Sequence, residues 1–202
     1  LENLEIKDGK ISAIHILNSK TGQRTIQECN KLCLAVGHSA RDTFEMLQNN
    51  KCIMEPKAFA IGLRMEHPQS FIDRISYGET NYKLPAADYK VTYQTQAGRG
   101  VYSFCMCPGG YVVNASSELG ELAVNGMSYS KRDGINANSA IIVTVTPEDF
   151  GHGVLDGMHF QRKIERLAYE QGKGKIPVQL FADYKNKTIS TGFGAVKPSS
   201  KG

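Results

Sequence analysis

The sequence predicts an α+β protein, mainly antiparallel sheet with about three helices. Three observations point there. Short segments of alternating apolar and polar residues recur along the chain, separated by Gly, Asn, Asp and Pro clusters. One continuous apolar run, Leu32-Cys33-Leu34-Ala35-Val36, leads through Gly37 into a helical pattern. Apolar residues at helical spacing are confined to three stretches, near residues 39–48, 68–77 and 160–171.

The first 36 residues read as a β-meander. Leu4 and Ile6 alternate with polar neighbours, and Asp8-Gly9 supplies the left-handed pair of a tight hairpin. Ile11–Leu17 returns, and Thr25–Glu28 makes a third strand after a polar turn. The run 32–36 fits a strand covered on both faces. Ser39 is the expected N-cap of the helix that follows, with Asp42 as an acidic capping-box partner. Ala58–Met65 is a further strand, and Pro68 opens a helix that ends at Gly78. Tyr89–Thr95 alternates as a strand. Val101–Met106 and Tyr111–Ala115 read as a hairpin joined by Cys107-Pro108-Gly109-Gly110. Ala123–Tyr129 and Ala140–Thr146 read as a second pair around the polar loop Ser130–Ser139. Phe160, Ile164, Leu167 and Ala168 share one helical face, ended by Gly172. Pro177–Phe181 is extended. Composition shifts near residues 50–57, which divides the chain into 1–52, 53–184 and a loose tail, 185–202.

Composition excludes several classes. The 202 residues carry 24 Lys+Arg and 20 Asp+Glu, a net charge of +4, with 41% hydrophobic residues. These are globular values, and the charge is far below that of a dense nucleic-acid-binding face. No window approaches the roughly 20 apolar residues of a membrane span. No signal peptide opens the chain. Leu1 stands where an initiator Met is expected, so the chain reads as an interior piece of a longer protein. Five cysteines, an odd number, argue for a reducing, cytoplasmic compartment rather than a disulfide framework.

Few residues announce chemistry. Cys105 and Cys107 would face one side of a strand; they read as structural thiols or a redox pair, and no set of four zinc ligands accompanies them. His38 lies where a strand ends and a helix begins, the place where α/β folds gather ligands, and a capping or surface histidine is the plainer alternative. Arg41 and Asp42 occupy the first helical turn. Arg64, His67 and Arg99 could line a cleft or simply sit in solvent. The loop from Ser130 to Ser139 collects amides and hydroxyls beside Lys131 and Arg132, either a polar ligand site or ordinary turn chemistry. The paired glycines at 98/100, 151/153, 172/174 and 192/194 match neither a dinucleotide fingerprint nor a P-loop, and no nucleophile elbow occurs.

Together these residues carry a resemblance. A meander feeding an apolar strand that ends Ala35-Val36-Gly37 resembles the middle of a flavoprotein FAD-binding fold, with Val36 where that superfamily has Thr. The stretches Leu34–Thr43, Phe59–Pro68, Arg99–Gly110, Asn125–Ser128 and Asn136–Ser139 are similar to those of the uncharacterised bacterial FAD-dependent dehydrogenases, over roughly residues 4–185. The resemblance implies a discontinuous FAD-binding domain whose Gly-rich motif lies outside this segment, with a substrate-side domain inserted in it. It implies FAD contact by Ala35, Val36, Gly37, His38 and Arg41. It places Arg64, Arg99, Gly109, Gly110, Arg132, Asn136, Asn138 and Ser139 on the substrate side, with Cys105 and Cys107 as candidate redox residues. The implied partners are a small-molecule substrate and the rest of the FAD-binding domain. Two alternatives stand beside this: a module touching RNA through Tyr129, Lys131 and Arg132, or an oligomerising β-domain without a site.

Overall fold

A computed structural model describes residues 1–194 and 197–200. Its elements are β1 (Asn3–Lys7), β2 (Lys10–Leu17), β3 (Arg24–Glu28), α1 (Arg41–Asn49), β4 (Phe59–Pro68), α2 (Gln69–Tyr77), β5 (Thr92–Gln94), β6 (Gly100–Cys107), β7 (Gly110–Asn114), β8 (Val124–Ser128), β9 (Asn136–Val145), α3 (Pro147–Phe150), α4 (Asp156–Gln171) and α5 (Phe181–Asn186). The fold is α+β with antiparallel sheets. The described helices number five, two of them a single turn or little more.

The chain divides into two compact units, 1–57 with 151–159, and 58–150 with 160 onward. In the first, the meander forms as its turn chemistry requires. Asp8 and Gly9 take φ of 51° and 71°, the two left-handed residues of a hairpin turn matched to strand twist. β2 pairs with β1 on one edge and β3 on the other. Leu4 and Ala13 are buried, while every residue of β3 is exposed.

The apolar run 32–36 departs from expectation. It pairs with no described strand and is exposed along most of its length, Val36 to 46%. A strand buried on both faces needs a neighbour on each edge and a layer on each side, and no described element provides them. The chain still enters a helix, but α1 starts at Arg41 with Ala40 at its N-cap and no side-chain cap. The Ser39–Asp42 capping box therefore does not form. Asp42 Oδ1 accepts instead from the Thr43 N–H at 2.8 Å, and Ser39 Oγ lies 3.3 Å from His38 Nε2.

The second unit is built on a four-stranded sheet in the order β4-β9-β6-β5. β9 is central. It pairs with β4 from Phe59↔Val145 to Pro68↔Asn136, and with β6 from Val101↔Val143 to Cys107↔Asn138. This corrects the strand pairing. β6 does not form a hairpin with β7, and β8 does not pair with β9. Instead β7 pairs with β8, from Gly110↔Ser128 to Asn114↔Val124. Cys107–Gly110 thus hands the chain from one sheet to another. Asn136–Ser139, read as loop, is the first part of β9, and all four residues are buried. The strand expected at 89–95 shortens to Thr92–Gln94. Ile72 of α2 packs with Ala87 and Ala137, against Tyr89 and Met106. Phe59, Phe150 and Phe160 cluster: Phe59 stacks on Phe150 with ring centroids 5.1 Å apart, and Phe160 meets Phe59 edge-on and Phe150 at a tilt. Within the stretch expected to be a loose tail, Lys197 and Ser199 are tied down: Ser199 N–H donates to Glu66 at 2.9 Å, Val112 N–H to Ser199 Oγ at 2.9 Å, and Asn136 Nδ2 to the Lys197 carbonyl at 2.8 Å. Residues 195, 196, 201 and 202 of that stretch lie outside the described residues.

Candidate functional site

In the second unit the end of β9 draws polar residues to one place. The β6–β9 ladder slips between Phe104 and Cys107, leaving Cys105 and Met106 as a bulge. Cys105 takes φ of 48°, a left-handed conformation rare for a residue with a Cβ. The bulge brings the Cys105 carbonyl to the guanidinium of Arg64, which reaches across from β4 at 3.2 Å and 3.3 Å. Arg64 also donates to Asn138 Oδ1 at 2.7 Å and to Asn125 Oδ1 at 3.3 Å. All four contacts are to neutral acceptors. No carboxylate among the described residues pairs with Arg64. Burial pulls its pKa below the ordinary arginine value, opposed by the two thiols and Tyr89 nearby. Arginine keeps its proton regardless, so a half-buried positive charge stands here without a counter-ion.

Asn138 is fully buried. Its Oδ1 faces Arg64, which fixes the amide orientation, and its Nδ2 finds no acceptor. Gly126 of β8 makes this packing fit: a Cβ there would lie 2.2 Å from Asn138 Oδ1, 2.4 Å from Arg64 Nη1 and 2.8 Å from Cys107 Sγ. Cys107 Sγ lies 3.4 Å from the Cys105 carbonyl, and neither thiol is in a disulfide.

A second group adjoins it. His67 Nε2 lies 3.0 Å from Tyr89 Oη, with their rings edge to face. Burial lowers the His67 pKa against the pull of Glu66, and burial raises that of Tyr89 against the Ser139 hydroxyl and the Arg64 charge. In both, burial favours the uncharged form. Ser139 is fully buried, and its hydroxyl lies 3.2 Å from the Phe104 carbonyl.

The loops are pinned by Gln69, the first residue of α2. It is buried, donates through Nε2 to Asp73 Oδ1 at 2.8 Å and to the Ala87 carbonyl at 2.9 Å, and accepts the Gly109 N–H at 2.7 Å. Gly109 has φ of 51°, and a Cβ would meet the Arg132 carbonyl at 2.0 Å, so only glycine lets the two loops close on each other. Gly134 N–H donates to the Gly109 carbonyl at 3.1 Å.

The structure thus gathers Arg64, Cys105, Cys107, Asn138 and Ser139, with Gly109, Gly110 and the Arg132 backbone beside them. Asn136 lies next along β9, donating to Glu66 at 2.7 Å. Arg99 is not part of this group. It sits at the far end of β6, held by Asp149 at 2.7 Å and 2.9 Å and by the Thr144 carbonyl. Gln69, Tyr89 and Asn125 were not anticipated. Gln69 left a trace in sequence, an amide directly after the helix-opening Pro68, and Asn125 opens the Asn125–Ser128 stretch of the resemblance without a role; Tyr89 read as an ordinary strand residue. A surface hollow of about 700 Å³ lies elsewhere, on α2 and the loop after it, and includes none of the expected residues.

In the first unit, Ala35, Val36, Gly37 and His38 are exposed, and Arg41 is buried at the start of α1. Gly37 has φ of 76°, with no atom within 4 Å of where a Cβ would lie. Its backbone is open on that side and leaves room for the close approach of another group. The described residues offer no glycine-rich cradle for a diphosphate. Among the described residues no cluster of three metal ligands occurs, and no helix is long and apolar enough to cross a membrane.

Comparison with known proteins supports the resemblance to FAD-dependent proteins. Residues 58–202 match the family described as FAD-dependent protein, C-terminal domain-like. An uncharacterised protein of Clostridium beijerinckii is 53% identical over 205 residues, covering 98% of this chain and 37% of that protein. The chain belongs to this FAD-dependent protein family. It spans little more than a third of the relative it matches.

Proposed function

We propose that the chain is the central, substrate-side part of an FAD-dependent oxidoreductase of the dehydrogenase type, working in the cytoplasm. The observation that carries this reading is the uncompensated Arg64 guanidinium, set beside two thiols and the His67–Tyr89 pair in a domain of an FAD-dependent family. FAD would supply the electron-transfer chemistry when bound. Ala35, Val36, Gly37, His38 and Arg41 are the proposed cofactor contacts. Arg64 would meet the substrate, with the buried Asn138 and Ser139 positioning the groups behind it and Gly109, Gly110, Arg132 and Asn136 shaping the loops around them. Cys105 and Cys107 would lie beside the reacting group. Arg99, tied to Asp149, supports the strand ends instead. The partners in this reading are a small organic substrate and the remainder of the FAD-binding domain.

An absorption spectrum tests it. The full-length Clostridium relative should purify yellow, with flavin bands that bleach on reduction, and the 202-residue chain should purify colourless. A colourless full-length protein that takes up no added FAD would overturn the reading.

A further inference from the structure

Arg64 has five N–H groups. The Nη atoms meet the Cys105 carbonyl, Asn138 and Asn125, and the two Nη2 contacts are long, both at 3.3 Å. Among the described residues Nε meets no acceptor, and the atom is not fully buried. The Nε N–H therefore remains open to solvent, and Nη2 beside it is held only by its two 3.3 Å contacts, which a charged acceptor can displace. Around it, Phe104, Cys105, Asn125 and Met127 are exposed, so a ligand can reach it. The buried Nδ2 of Asn138 is a second donor without an acceptor in the same cluster. Desolvating a charge and leaving it unpaired is costly, and here neutral amides and a carbonyl hold the guanidinium where a carboxylate would normally sit.

We propose that Arg64 is the docking point for a carboxylate, so that the substrate is an organic acid. The inference rests on the oxidoreductase reading for the word substrate, but not for the site. A single guanidinium edge matches the two coplanar oxygens of a carboxylate. A phosphate would draw on more donors, commonly a helix N-terminus, and none is described here.

The site can be read directly by NMR on the 15N-labelled 202-residue chain, following the Arg64 Nε–Hε resonance. Sodium acetate is the probe, with sodium chloride at matched ionic strength and inorganic phosphate as comparison arms. Acetate should shift the resonance saturably, and chloride should not. Asn125→Asp supplies the guanidinium with its own carboxylate in the same shape and should weaken acetate binding by about tenfold or more while the chain stays folded. Arg64→Lys keeps the charge but loses the fork, and should abolish the acetate-dependent shifts of the Cys105 and Asn138 amides. An unmoved Nε–Hε, equal binding by Asn125→Asp, or tighter binding of phosphate than acetate would overturn the proposal. A yellow full-length protein with no acetate effect would sink only this inference. Acetate binding with a colourless full-length protein would sink only the flavin reading.

Discussion

Arg99 and Arg64 show how differently one residue type behaves in two settings. Arg99 forms a forked pair with Asp149, and this pair, with the Thr146 N–H, lowers the Asp149 pKa to about 2. A carboxyl whose folded pKa is depressed stabilises the fold above its unfolded value and loses that contribution as pH falls through the folded value. The window here runs from about pH 4 down to about pH 2. In Arg99→Gln, the Asp149 carboxyl should titrate closer to the ordinary aspartate range when followed by NMR, and the acid transition should move to higher pH. An unchanged Asp149 titration would show that Thr146 alone sets it. Arg64 has no such partner, and sequence could not tell the two apart: each is a cation in or beside a strand. The difference lies in what the neighbouring element brings, Asp149 from α3 for one and Asn138 from β9 for the other.

At the scale of elements, α2 is as much a clamp as a packing helix. Gln69 ties the Cys107–Gly110 crossing to α2 and to the segment before β5 through three hydrogen bonds. Replacing it by the similarly shaped Met leaves the Gly109 N–H and the Ala87 carbonyl buried without partners. We expect Gln69→Met to cost about 2–4 kcal/mol in urea unfolding, since each orphaned buried group costs on the order of 1–3 kcal/mol. A change below about 1 kcal/mol would mean that water replaces the amide. Strands and helices were largely legible in the sequence, because alternation and turn residues act locally: Asp8-Gly9, Pro68 and Gly78 all mark the ends they should. Pairing was not legible. Cys107-Pro108-Gly109-Gly110 has turn composition, yet composition does not say which strand the chain meets next. The polar stretch Asn136–Ser139 looked like loop because its burial is satisfied by partners far away in sequence. The apolar run 32–36 looked like a buried strand because hydrophobicity records what a segment needs, not what stands next to it.

Over the whole molecule, the resemblance carried by Leu34–Thr43, Phe59–Pro68 and Arg99–Gly110 reached the family, while the site's cooperating residues emerged only once β4, β6 and β9 lay side by side. Protection should be uneven in the same way. In hydrogen exchange, the amides of Ile141 and Val143, bracketed by β4 and β6, should be among the slowest of the chain. Those of β3, an exposed edge strand, should be among the fastest. Equal rates in β3 and β9 would contradict a central position for β9.

The place of β9 also bears on how the protein is made. Phe59 and Val101 wait on the ribosome for Val143 and Val145, which emerge long after them. Until then β4 and β6 present open edges, and closing such distant pairs is slow. The nascent chain therefore passes through an interval of exposed, sticky strand, in which chaperone protection would decide how much of it matures rather than aggregates.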